Sequence, residues 1–363
     1  MRKIGVMTFH RAANYGAVLQ AYALYYVLQA LGNDVKIIDY RCQRIENLYA
    51  PFSAKAAQGL PGKIKKLLRW NQLRLKGKRF AAFREKYLAL TVPCYNQEQL
   101  KAAAREFSVC VTGSDQVFNL QETGGDRAYL LDFADGGQKK LAYAASFGTK
   151  HMSESDRKPL AEQLQSFDGI LVRESSAVEL ARILSGKQAA LALDPVLLLH
   201  QDVWEKLWEK PKHVPENYVL AYMMAGSDAL TQKAYQLGEN VVIVNPTLKQ
   251  QLRNRDCQQY PAASPEEFLW LFGNARAVVT NSFHGLAFAI VFRKDFYVEL
   301  TNKERAGRLQ ELLAMLGLED RILPCEKPGP IDWERVEGIL AHYREQSLDF
   351  LQKGILDGTG IGG

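Results

Sequence analysis

His284 is one of six histidines in the chain, and it sits in the run VVTNSFHGLAFAIVF, Val278–Phe292. There an apolar sequence is broken by Asn281, Ser282 and His284, directly before Gly285. The pattern predicts a buried strand over ARAVVT and a helix over GLAFAIVF packed against sheet. The polar residues then occupy the exposed point between them, at a helix N-terminus whose backbone N–H groups favour a phosphate or carboxylate. A histidine beside such an anion is held more readily as imidazolium, ready to give up a proton. Asn281 and Ser282 add neutral hydrogen bonds. Taken singly, His284 serves equally well as a structural hydrogen-bonding residue.

Four more polar clusters follow short apolar runs. They are His10, Asn14 and Gly16 in FHRAANYGA; Gly113, Ser114, Asp115 and Gln116 in VTGSDQVFN; Ser146 and Gly148 in AASFG; and Arg173, Glu174 and Ser175 in LVRESSA. In open parallel sheets, ligands bind outside the carboxyl ends of the strands, which is where these clusters fall. Each has a plainer reading. Asn14 and Gly16 suit turn chemistry, Asp115 suits a helix cap, and Arg173 with Glu174 suits a surface ion pair of little energetic weight. No Walker loop, G-x-G-x-x-G turn or H-E-x-x-H helix is present. The recurrence of polar clusters at strand ends is what raises them above the single readings.

The elements that must position these residues alternate. KIGVMTF, DVKIIDY, FSVCVT, KLAYAAS and GILV read as buried strands, with helices at VLQAYALYYVLQALG, about Ser153–Ser166, and after RESSAV. HQDVWEKLWEKPKHVPEN reads as a boundary, after which YVLAYMMAG, NVVIVNP, ARAVVT and KDFYVEL begin a second series. A helix starts at Ser264, where Pro265 and Glu267 complete an S-x-x-E capping box. The expectation is an α/β chain of two doubly wound parallel-sheet domains facing a cleft. Residues 1–210 form the first, with a basic helical insertion at about 53–90, and 211–330 form the second. A helix over 331–353 returns to the first domain, and 354–363 form a disordered tail.

A chain of 363 residues suits two cores. Its five cysteines (Cys42, Cys94, Cys110, Cys257, Cys325) are scattered without a C-x-x-C pair, which argues against a zinc site or a disulfide framework. With no signal-like start and no apolar run of spanning length, the expectation is a cytoplasmic protein without bound metal or cofactor. The net charge of +6 is concentrated between Ser53 and Leu90, where eleven lysines and arginines (Lys55, Lys63, Lys65, Lys66, Arg69, Arg74, Lys76, Lys78, Arg79, Arg84, Lys86) face one acid, Glu85. Interleaved leucines and Trp70 make this a basic amphipathic helix, either a solvated face or a surface for an anionic membrane. No nucleic-acid module accompanies it.

NYGAVLQAYAL, VTGSDQVFN, VRESSA, DPVLLL and TNSFHG occur in this order, and the set resembles the polysaccharide pyruvyltransferase family over about residues 4–320. The resemblance implies a GT-B-like fold. It also implies transfer of a pyruvyl group from phosphoenolpyruvate to two hydroxyls of a sugar, closing a cyclic ketal on a polymeric or lipid-linked acceptor. With a lipid-linked acceptor, the basic segment around Lys63 to Arg84 is expected to hold the chain at the inner face of the membrane. It makes His284 the general acid, Arg173 a donor ligand, Asp115 the base or acceptor ligand, and Arg308 a further cation. Family members often carry arginine two residues before the histidine, where this chain has Ser282. Either Arg305 or Arg308 substitutes for it, or the donor differs. Phe118 and Leu120 also depart from the family's GSDQVWNP pattern. Two other readings stay open: a nucleotide-sugar glycosyltransferase, with Glu299 or Glu304 as the ribose acid, and a non-catalytic sugar-binding subunit.

Overall fold

The computed structural model describes residues 1–49, 63–148, 152–247, 250–251, 256–301, 303–325 and 328–356, without the side chains of 63–69 and 303–305. The part of the basic run from Lys55 to Arg69, the residues Glu304 and Arg305, and the tail from 357 therefore lie outside the described residues or side chains.

The chain forms two compact units. The first comprises Met1–Leu48, Arg84–Leu198 and Ile339–Gly363, and the second Tyr49–Phe83 and Leu199–Gly338. Six parallel strands make the first sheet: β1 (Lys3–Met7), β2 (Asp34–Ile37), β3 (Val109–Asp115), β4 (Lys139–Ala145), β5 (Gly169–Val172) and β6 (Ala189–Leu191). Their order, β2-β1-β3-β4-β5-β6, reverses direction between β1 and β3. The second sheet joins β7 (Val219–Tyr222), β8 (Val241–Val244), β9 (Gln258–Tyr260), β10 (Ala277–Thr280) and β11 (Asp295–Val298) in the order β11-β10-β7-β8-β9, also parallel. Its reversal falls between β7 and β10. Strands such as GILV, VLAY and AVVT are buried at every position, because helices cover both faces of a parallel sheet.

The helices that matter here are α1 (Tyr15–Ala30), α2 (Lys63–Tyr87), α3 (Ser175–Ser185), α4 (Pro265–Gly273), α5 (Phe283–Val291), α6 (Lys303–Leu316) and α7 (Trp333–Leu356). Helix α4 starts as its sequence dictates: Ser264 accepts from the Glu267 amide while the Glu267 carboxylate accepts from the Ser264 amide. Helix α7 reaches the first unit, where Arg344 Nε donates to the Leu197 carbonyl at 2.7 Å and Ser347 Oγ accepts from the Leu193 amide at 3.0 Å. It runs three residues past the expected end, to Leu356.

The basic segment differs from expectation. The sequence assigns it to the first domain, yet Tyr49–Phe83 clusters with the second unit. Lys76 Nζ donates to Asn245 Oδ1 at 2.9 Å, and Arg79 Nη1 donates to the Ala262 carbonyl and to Glu267 Oε2 at 2.8 and 2.6 Å. Lys76 and Arg84 are buried, so the described part of this helix leaves Arg74, Lys78 and Lys86 as its exposed cations. Among the described residues, no helix is long and apolar enough to cross a membrane.

Candidate active site

In the first unit the strand ends converge on a buried arginine. Arg173 follows β5 and its side chain is 1% exposed. Its guanidinium meets Asp194 Oδ2 at 2.8 Å, Glu174 Oε1 at 3.5 Å and Asp115 Oδ1 at 3.7 Å. Burial works against the charge, but Glu174, Asp194 and Asp115 outweigh it and hold the guanidinium firmly protonated. The plainer reading of Arg173 and Glu174 as a surface pair is therefore overturned. β5 is an interior strand, so the residues that leave its carboxyl end remain enclosed. One cation among three carboxylates also places Arg173 in acidic surroundings, which suit holding Asp115 in place better than holding an anion.

The remaining candidates of this unit tighten the same frame. Ser114 Oγ lies 3.1 Å from both the Ala144 carbonyl and Asp194 Oδ2, sharing one proton between them, while its amide donates to Gln20 Oε1 at 3.0 Å. Ser146 Oγ donates to Glu174 Oε1 at 2.6 Å and accepts from the Gly148 amide at 3.1 Å. Gln116 Oε1 accepts from Asn119 at 3.2 Å and would stand 2.1 Å from a Cβ at Gly148. At Gly113, with φ +126°, a Cβ would meet the Tyr143 carbonyl at 2.1 Å, so only glycine fits. Asp115 reaches solvent, with 16% of its side chain exposed. Phe118 is core, edge-on to Phe167 and 5.2 Å from Phe147.

Asn14 and Gly16 do not join this cluster by any side-chain bond among the described residues. Asn14 caps α1, its Oδ1 accepting from the Ala17 amide at 3.4 Å, and Gly16 is buried in the first turn. His10, nearby in sequence, bonds Thr8 and Asp39 instead.

In the second unit the polar residues stand at the reversal between β7 and β10. Thr280 Oγ1 donates to the Tyr222 carbonyl at 2.6 Å. Asn281 is fixed from both ends: its Oδ1 accepts from the Met224 amide at 2.8 Å, and its Nδ2 donates to the Ala225 carbonyl at 3.0 Å. It ties the loop after β7 to the start of α5. Ser282 is the N-cap, accepting from the Gly285 amide at 3.4 Å. His284 lies in the first turn of α5, buried, with its ring edge-on to Phe283. A Cβ at Gly285 would meet Thr280 Oγ1 at 2.2 Å, so glycine is what lets the helix start against the strand. Arg308 lies half-buried on α6, which packs against α5. Glu299 follows β11, and its Oε2 is enclosed without a hydrogen-bond partner among the described residues.

These motifs belong together. The family model of the polysaccharide pyruvyl transferases matches residues 14–298, well over half of the chain. The chain belongs to the polysaccharide pyruvyl transferase family. No curated protein matches its sequence. Among solved structures it is similar to a putative UDP-N-acetylglucosamine 2-epimerase from Listeria monocytogenes, at 11% identity over 99% of this chain and 92% of that one, TM-score 0.50. It is similar also to the S. aureus MnaA–UDP co-structure, at 10% identity over 100% and 93%, TM-score 0.50. At these identities the likeness shows the fold, which is the GT-B arrangement of two Rossmann-like units. Membership of the family makes the chain a transferase with a sugar or polysaccharide acceptor.

Asp194 was not among the residues singled out from the sequence, although it lies in the family motif DPVLLL. An acid followed by proline in an otherwise apolar run was the available signal, since a buried carboxylate requires a partner.

Proposed function

We propose that the chain transfers the pyruvyl group of phosphoenolpyruvate to two hydroxyls of one sugar, closing a cyclic ketal and releasing inorganic phosphate. The observation that carries this reading is the T-N-S-F-H-G turn: His284 held in the first turn of a buried helix, beside a capped N-terminus, in a chain of this family. A proton from the His284 imidazolium passes to the methylene carbon of the enol, leaving cationic character on the carbon that bears the phosphate. A sugar hydroxyl attacks that carbon and gives its proton to a carboxylate base. The C–O bond to phosphate then breaks. Attack by the second hydroxyl closes the ring, and its proton returns to the imidazole.

Ser282 carries no charge, so the donor's phosphate and carboxylate fall to the α5 N-terminus and to Arg308. Arg173 is assigned to positioning Asp115 rather than to the donor. Arg74, Lys78 and Lys86 are proposed as the described contacts to an anionic membrane surface if the acceptor is lipid-linked.

The test is phosphate release from phosphoenolpyruvate across a panel of sugar acceptors, with the ketal methyl group followed by NMR. His284→Ala is expected to lower turnover by about 10²–10⁴. A variant with near-full rate removes His284 from the mechanism. Release of a nucleotide from a nucleotide sugar, with phosphoenolpyruvate inert, replaces the reaction by glycosyl transfer.

A further inference from the structure

Glu299 leaves the carboxyl end of β11, and its amide donates to the Thr280 carbonyl at 3.1 Å. The two strands are parallel neighbours in the second unit, with Val298 level with Thr280. One residue further along that register, Glu299 stands beside Asn281, the start of the turn that carries His284. Glu299 as a whole is half-buried, yet its Oε2 is enclosed and meets no hydrogen-bond donor among the described residues. An enclosed carboxylate oxygen without a donor is costly to keep, so its place beside this turn calls for a reason.

Other carboxylates are already engaged. In the same unit, Glu267 accepts from the Ser264 amide and from Arg79, and Asp295 stands at the opposite end of β11, paired with Arg321. In the first unit, Asp115 lies 3.7 Å from the Arg173 guanidinium, and Asp39 is held by His10 and Arg11. Cations and donors of this kind favour the charged carboxylate and so weaken it as a base. The lone pairs of Glu299 Oε2 are not taken in this way, and the open part of the side chain gives a substrate access to it. The base need not be strong. A hydroxyl attacking a carbon of cationic character grows acidic as its bond forms, and a carboxylate suffices for its proton.

We infer that Glu299 is the carboxylate base of the transfer. The inference rests on the pyruvyl-transfer reading and names the residue for a step which that reading leaves to an unspecified carboxylate. The hydroxyl oxygen gives an electron pair to the pyruvyl carbon, the O–H bond breaks, and its proton passes to Glu299 Oε2. When the C–O bond to phosphate breaks, that proton leaves with the phosphate and the carboxylate is restored. His284 and Glu299 then work as acid and base from adjoining strand ends of one unit.

The test measures phosphate release by the full chain from phosphoenolpyruvate, against pH, with whichever sugar of the panel serves as acceptor. Glu299→Gln keeps the shape of the side chain and is expected to lower turnover by about 10²–10⁴. It should bind phosphoenolpyruvate as the parent does in titration calorimetry. The parent rate should fall on the acid side, where the base gains a proton, and on the alkaline side, where His284 loses one. Glu299→Gln should lose the acid limb alone, which a merely structural role would not bring about. If Glu299→Gln does not fold, Glu299→Ala with added formate decides: the small carboxylate should restore turnover in the variant and leave the parent unchanged.

A Glu299→Gln that turns over near the parent rate, or keeps the acid limb, overturns the inference. So does a rise in KM with kcat unchanged, which would make Glu299 a binding residue only, and so does lost phosphoenolpyruvate binding or a Glu299→Ala indifferent to formate. Failure of the transferase reading shows separately, in the parent chain, as absence of phosphate release with every sugar, and the assignment of Glu299 falls with it.

Discussion

Arg173 and Arg84 are the same side chain, buried to a similar depth in the same unit, in opposite surroundings. Arg173 sits among Asp194, Glu174 and Asp115, so acids outnumber the cation three to one. Arg84 sits near two further arginines whose carboxylates are already engaged. Burial opposes both charges, and the outcome differs only in what surrounds them: Arg173 is held more firmly protonated, Arg84 less. An arginine fixed by its own chain organises a site. An arginine whose neighbours are mostly cations is held less firmly.

The contrast breaks most sharply at Asp194. Its side chain is fully enclosed, and Asp194→Ala strands the buried Arg173 charge, so denaturant unfolding should show a loss of about 3–5 kcal/mol. A change under about 1 kcal/mol would mean that Glu174 and Asp115 suffice, on the scale of ordinary surface pairs.

Asp39 sharpens the other side. Burial pushes its carboxyl up, but hydrogen bonds from His10 and Arg11 outweigh that and hold it well below the usual carboxylate range. A depressed folded value gives stability that is complete above the unfolded value near 3.9 and is lost as pH falls below it. Asp39→Asn should therefore cost about 3 kcal/mol at neutral pH and flatten the acid limb of the stability curve. Equal acid limbs in both proteins would take Asp39 out of the charge balance around Arg84.

The smallest effect is expected where arginine is missing. Ser282→Ala removes the α5 cap and should cost about 1 kcal/mol in thermal unfolding. Turnover should fall less than in His284→Ala, because Ser282 is proposed to hold the helix start rather than move a proton. A turnover loss as large as that of His284→Ala would place Ser282 in the chemistry itself.

Much of the frame was legible in the sequence because it depends on short, local signals. The fully apolar strands GILV and AVVT announce their burial, and the Ser264–Glu267 box announces the start of α4. β9 was missed: Gln258–Tyr260 is a three-residue edge strand without an apolar run. The charges of α2 were misjudged for a different reason. Helical spacing describes a face but says nothing of what lies opposite, and the partners of Lys76 and Arg79 stand 169 and 188 residues away. In the candidate site, each polar cluster could be placed at a strand end, but the pairing of Arg173 with Asp194 depended on the order of strands in the sheet.

Gly285 deserves a last consequence. A Cβ there would stand 2.2 Å from Thr280 Oγ1, and that hydroxyl is itself anchored to the Tyr222 carbonyl. The missing methyl group works as a gauge block. It sets how closely α5 seats on the end of β10, and therefore how far the imidazole one residue earlier projects from the sheet. A side chain at 285 would leave every other atom of the turn in the molecule and still move His284, the proposed proton donor, out of its seat on the helix start.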